Sequence, residues 1–112
     1  MAKVRNYIDA DYEEVKVNLI EADMFNPLLD SRENLRRKIE TNPGSILVAT
    51  NETDRVIGNI YLIEDFFNSF IFRLAVRETH RWKGISNLLM DEAENRLKEL
   101  GVKRVSILVR ES

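Results

Sequence analysis

The chain alternates between short apolar runs and segments whose apolar positions recur at helical spacing. Lys3 to Ile8 is short and β-compatible. Asp9-Ala10-Asp11 then offers N-cap side chains to a helix reaching about Ala22, with Tyr12, Val15, Leu19 and Ile20 on one stripe. Phe25-Asn26-Pro27-Leu28-Leu29-Asp30 breaks that period, and Ser31 with Asn34 and Leu35 opens a second, polar helix to about Thr41, ended by Asn42-Pro43-Gly44. Ile46-Leu47-Val48-Ala49 and Val56 to Ile63 read as strands joined by the polar turn Thr50 to Arg55. Glu64 to Asn68 is a further turn, and residues 69 to 77 form the next strand. Ile85 to Leu100 carries apolar residues at 85, 88, 89, 93, 97 and 100, with Gly101 placed to end the helix and Glu92/Arg96 and Glu94/Lys98 as exposed pairs. Val102 to Arg110 is the last strand.

This order, strand, helix, helix, three strands, helix, strand, predicts an α+β fold with a mixed sheet. The three sequential strands are expected to be antiparallel. The strand, helix, strand unit that follows makes a parallel, right-handed crossover. No repeat, low-complexity segment or linker divides the chain, so residues 1–112 are expected to form one domain.

Composition narrows the chemistry. Hydrophobic residues at 44% and charged residues at 32% describe a globular protein. A net charge of −2, spread without blocks, gives no bulk attraction for nucleic acid. No apolar run reaches the ~20 residues of a membrane helix, and the N-terminus has no signal-like apolar region, so a cytoplasmic location without membrane attachment is expected. Without cysteine there is neither disulfide, thiolate zinc site nor cysteine nucleophile, and a single histidine disfavours a metal site.

Between the strand at 69 to 77 and the helix at 85 lies Arg81-Trp82-Lys83-Gly84-Ile85-Ser86. A strand-loop-helix junction binds phosphate because the first helical N–H groups lack internal partners and carry partial positive charge. Gly84 lets an anion approach the backbone, and Arg81 and Lys83 add charge. The spacing matches neither a nucleoside-triphosphate loop nor a dinucleotide fingerprint.

Arg-x-x-Gly-x-Ser, with Leu-x-Val upstream, resembles the acetyl-CoA signature of the GCN5-related N-acetyltransferases (GNAT). The resemblance extends along the chain. It takes in Val4-Arg5-Asn6, Asp11 and Val15, then Leu47-Val48-Ala49 with Val56-Ile57-Gly58, then Leu74-Ala75-Val76, and finally Glu99 to Val105. It implies a GNAT-like fold and an enzyme moving an acetyl group from acetyl-CoA to an amine. The amine would belong to a small molecule, a protein N-terminus or a lysine. Leu74, Ala75 and Val76 would align the pantetheine arm, while Arg81, Trp82, Lys83, Gly84, Ile85 and Ser86 would surround the pyrophosphate, and no metal is implied. Trp82 is placed either over adenine or against the helix. His80 stands where an aromatic residue is frequent and is read as packing, with a general base as the alternative, and Glu78, where Pro is frequent, is expected to face solvent.

Three departures qualify what the resemblance implies. Ser86 replaces the commoner Gly or Ala, a small change. Phe70 occupies the position of the Glu base of the histone-modifying branch, which leaves Glu64 and Asp65 as the nearest carboxylates. The sequence stops at Ser112, before the fourth helix with its Tyr acid and the two further strands that are usual in the family. A homodimer or complemented assembly through the last strand's edge is expected from that, with a non-catalytic coenzyme A-binding module as the alternative.

Overall fold

Ile46–Thr50 and the first seven residues of Val56–Glu64 are buried without alternation, which happens only when both faces of a sheet are covered. In the computed structural model, which describes residues 2–64 and 69–99 and the backbone of 105–107, helices supply both covers. The sheet runs in the order β1 (Lys3–Asn6), β2 (Ile46–Thr50), β3 (Val56–Glu64), β4 (Ser69–Val76) and β5 (Val105–Ile107). The first three pairings are antiparallel and β4 with β5 is parallel, as the element order requires. Gly101, the ends of the predicted last strand and its outer edge lie outside the described residues.

α1 (Tyr12–Glu21) and α2 (Arg32–Thr41) cover one face, where Tyr12, Val15, Leu19 and Leu35 pack with Ile46, Val48, Val56 and Tyr61. α3 (Ile85–Glu99) covers the other, placing Ile85, Leu89, Ala93 and Leu97 against Leu47, Ile57, Ile60 and Ile71. Gly58 permits this closeness. A Cβ there would stand 3.1 Å from Leu89 Cδ1 and 3.2 Å from both the Ala75 carbonyl oxygen and Ile85 Cγ2.

The predicted caps and stripes hold in part. Ser31 Oγ accepts from the Asn34 N–H at 3.1 Å and starts α2 as expected. Asp11 does not cap α1 through its side chain. Its carboxylate instead takes both ends of the Arg5 guanidinium, at 2.8 and 2.9 Å, and the Ile8 N–H. A short 3₁₀ turn, Asp9–Asp11, precedes the helix. Ile20 is 54% exposed, and the buried place on that helix belongs to Asn18, whose amide is satisfied inside the protein. Arg96 turns from Glu92 to Asn6, donating to its Oδ1 at 2.7 Å.

Candidate active site

β4 is an irregular strand. Asn59 pairs with Ala75 and Tyr61 with Phe72, so Ile60 alone faces both Arg73 and Leu74. This is a β-bulge, and Arg73 takes φ 55°, a left-handed conformation that costs a non-glycine residue about 1–2 kcal/mol. The bulge resets the alternation. Phe72 and Ala75 face α1 and α2, whereas Ile71, Leu74 and Val76 face α3. Among the described residues, β4 pairs with β5 from Ser69↔Val105 to Ile71↔Ile107.

Buried polar groups hold the bulge. Asn59 Nδ2 donates to the Arg73 carbonyl at 3.0 Å and Asn18 Nδ2 donates to Asn59 Oδ1 at 3.1 Å. Arg77 continues the chain, donating through Nε to Asn18 Oδ1 at 2.7 Å and through Nη2 to the carbonyls of Glu14 and Val56. The Arg73 side chain pairs with Asp30 at 3.2 Å. Asp30 also accepts from the Asn26 N–H and the Tyr61 hydroxyl, and burial pushes the Tyr61 phenol well above its ordinary range.

A cavity of about 500 Å³ opens between the second half of β4 and the start of α3. Leu74, Val76, Arg81, Trp82, Gly84, Ile85 and Ser86 line it, with His80 and Asn87. Seven of the nine residues expected around coenzyme A are thus brought together. Ala75 faces the opposite side of the sheet and can take part only through its backbone. Lys83 lines a neighbouring cavity of about 720 Å³ toward Asn51, Glu52 and Thr53. Glu64 borders a third cavity near Leu97 and Glu99, at the other end of α3, about 20 Å along the helix from Gly84. Asp65 lies outside the described residues.

The first hydrogen bond of α3 runs from the Leu88 N–H to the Gly84 carbonyl at 3.0 Å. Among the described residues, the preceding N–H groups of Ile85, Ser86 and Asn87 donate to no protein acceptor, as the start of a helix dictates. Gly84 has φ 79°, and an added Cβ would meet nothing within 4 Å, so the space above this backbone is open. Arg81 is built into the protein more than the sequence suggests. It donates through Nε to the Val76 carbonyl at 3.1 Å and through Nη2 to the Glu21 carbonyl at 3.2 Å, fastening the loop to β4 and to the end of α1. Trp82 is fully exposed with φ 67°, which removes the expectation that it packs on the helix. Glu78 is exposed as expected, and its N–H donates to Glu21 Oε1.

Among the described residues, no group of three or more His, Asp or Glu side chains could hold a metal, and no helix is long and apolar enough to cross a membrane. The bulge, the Asp30–Arg73 pair and the Asn18–Asn59–Arg77 chain were not foreseen from sequence. Their one visible signal is the pair of arginines, Arg73 and Arg77, set in and just after an apolar strand.

The sequence matches the Acetyltransferase (GNAT) family over residues 7–112, and the chain belongs to that family of enzymes. An acetyltransferase of Sodalis glossinidius is 28% identical over 108 residues, 96% of this chain and 75% of the relative. Among solved structures, Ard1 from Thermoplasma volcanium superposes with a TM-score of 0.76 at 21% identity, covering 88% of this chain and 64% of that one. The PaiA N-acetyltransferase from Thermoplasma acidophilum, solved in complex with coenzyme A, gives 0.72 at 22% identity, covering 91% and 75%. The likeness to both structures is one of fold.

Proposed function

We propose that the chain binds acetyl-CoA in the cavity between β4 and the start of α3 and transfers its acetyl group to an amine. The observation that carries this reading is the convergence on one cavity of three features. They are the stretch of β4 carrying Leu74 and Val76, a helix N-terminus whose first N–H groups have no acceptor among the described residues, and open space above Gly84. The helix start offers backbone N–H groups to phosphate, and an extended, amide-bearing arm would lie along Leu74 and Val76. Ile85, Ser86 and Asn87 hold the anion through their N–H groups, Leu74 and Val76 flank the arm, and Trp82 presents an exposed face for a planar base. The bulge leaves one amide of β4 outside the ladder with β3, a fixed donor for a developing oxyanion. Bound acetyl-CoA supplies the thioester: the amine nitrogen gains the acetyl carbon, the C–S bond breaks, and the proton lost by the amine leaves with the thiol.

Calorimetric titration with acetyl-CoA, followed by measurement of free thiol over a panel of amines, tests the reading. Absence of binding at millimolar ligand removes it, and binding without thiol release reduces the chain to a coenzyme A-binding module. Gly84→Asp is expected to weaken binding about tenfold or more, since a carboxylate enters the space the anion needs and a strained φ is imposed. Arg81→Ala is the poorer probe because it also releases two structural carbonyls. Trp82→Gly separates function from folding. Its side chain is fully exposed and its φ is strained, so thermal stability is expected to stay level or rise by about 1 kcal/mol while affinity for acetyl-CoA drops. A fall in stability would show that the ring packs on the protein.

A further inference from the structure

On the α1 and α2 side of the same bulge lies a further cavity, of about 280 Å³. Arg73 lines this one and Leu74 the acetyl-CoA cavity, so a single peptide unit separates the two. An acceptor seated here would meet the cofactor across the bulge of β4, and the volume suits a small molecule.

The charges in this cavity do not balance. Asp30 is 1% exposed and fully engaged: Oδ1 accepts from the Tyr61 hydroxyl and Arg73 Nε, while Oδ2 accepts from the Asn26 N–H and faces Arg73 Nη2. The Asp30 and Arg73 charges therefore cancel. Lys38 has no such partner. Its ammonium donates to the Leu62 carbonyl at 2.6 Å and lies 5.4 and 5.9 Å from the ring centroids of Phe72 and Tyr61. Among the described residues no carboxylate stands within 4 Å of it, although ordinary surface carboxylates are abundant. An ammonium with up to two unused donors is thus held in an aromatic-walled cavity, where a charge is costly unless something pairs with it. The rim is apolar, with Leu29 and Ile63 both exposed.

We propose that Lys38 receives the anionic group of the acceptor, and that the acceptor is a small primary amine bearing a carboxylate or a phosphate. The inference rests on the acetyl-transfer reading for the word acceptor, but the anion site stands on its own geometry. Ion pairing with a bound anion compensates the desolvated ammonium and fixes the distance from the anion to the amine, so Lys38 sets specificity and takes no part in bond making. The groups facing it are Asp30 from the segment between the helices, Asn34 on α2, Tyr61 on β3, and Phe72 and Arg73 on β4.

Two measurements decide the matter. In protein carrying ¹³Cε-lysine, the Lys38 resonance is assigned by its loss in Lys38→Met and followed by NMR during titration with inorganic phosphate and, separately, with propionate. A saturable shift at millimolar anion, with the Lys38 pKa rising as the anion binds, is expected, and the better of the two anions identifies the headgroup. No saturable movement with either, in protein that binds acetyl-CoA, overturns the site. Thiol release from acetyl-CoA is then compared for 2-aminoethyl phosphate against ethanolamine and for β-alanine against propylamine. The anionic member that matches the NMR result is expected to be favoured about tenfold or more in kcat/KM, with the advantage lost through KM in Lys38→Met. Equal use of charged and neutral amines overturns the specificity role. Should anions bind at Lys38 while no amine releases thiol, the acetyl-transfer reading falls and the anion site remains.

Discussion

Asp30→Ala is expected to lower stability by about 3–5 kcal/mol, read as a fall in the urea midpoint at unchanged slope. The carboxylate is 1% exposed and receives the Asn26 N–H at 2.8 Å, the Tyr61 hydroxyl at 3.1 Å and the Arg73 guanidinium at 3.2 and 3.3 Å. Its removal strands a largely buried cation and a buried hydroxyl together, which is worse than never having had the pair. The damage reaches the site as well, because Asp30 anchors the side chain that sits at φ 55° in the bulge. Once Arg73 is released, the strained conformation has one fewer restraint, Asn59 on its carbonyl being the other. Acetyl transfer is therefore expected to fall further than the unfolded fraction accounts for. Asp30→Asn, which keeps acceptor oxygen but loses the charge, should lie between wild type and alanine. If Asp30→Ala unfolds at the wild-type midpoint, the pair is ornamental and the bulge is held by Asn59 alone.

What could be read from sequence was whatever follows a period or a local signal. α3 was legible because Ile85, Leu89, Ala93 and Leu97 recur every four residues, close to the helical period, and all are buried. The parallel crossover followed from element order alone, and Ser31 marked the start of α2 because its hydroxyl acts within three residues. The loop from Arg81 to Ser86 was legible for the same reason, being contiguous. The bulge was not, since Phe70 to Val76 reads as a regular strand and the register slips only where β4 meets β3. Asn18 is enclosed by partners 41 and 59 positions away, Asn59 and Arg77. Burial of that kind is a tertiary property without a sequence period. Arg81 has a part that its charge alone does not announce: it lines the cavity and also donates to the carbonyls of Val76 and Glu21. Where a chain departs from its own pattern with a buried charge, the departure tends to mark function, and Lys38 is the clearest such departure outside the loop.

Lys38→Met is expected to stabilise the protein at pH 7, against the general tendency of substitutions. Burial without a carboxylate partner lowers the Lys38 pKa from 10.5 to about 8. Between those values the unfolded chain still holds the proton that the folded chain has lost, so wild-type stability rises with pH across that window. Below about pH 8 both states are protonated and the fold carries the whole cost of the buried charge, roughly 3 kcal/mol for this difference. Methionine keeps an unbranched stem against Tyr61 and Phe72 but gives up the hydrogen bond to Leu62 and the contact of the cation with both rings. A net gain of about 1–2 kcal/mol at pH 7 remains after that loss. The gain should shrink above pH 8 and, at roughly 1.4 kcal/mol per pH unit, change sign at about pH 9, within the window. Tyr7, Tyr12 and Tyr61, whose phenols burial pushes upward, weaken the fold above about pH 10 in both proteins. They cancel in the difference between the two urea curves. A difference flat in pH would mean that the ammonium is solvated in the fold. The expected outcome, a more stable protein whose Lys38 anion site is gone, gives the physical reason for placing this lysine here: it lowers stability in the empty protein and regains it when an anion binds.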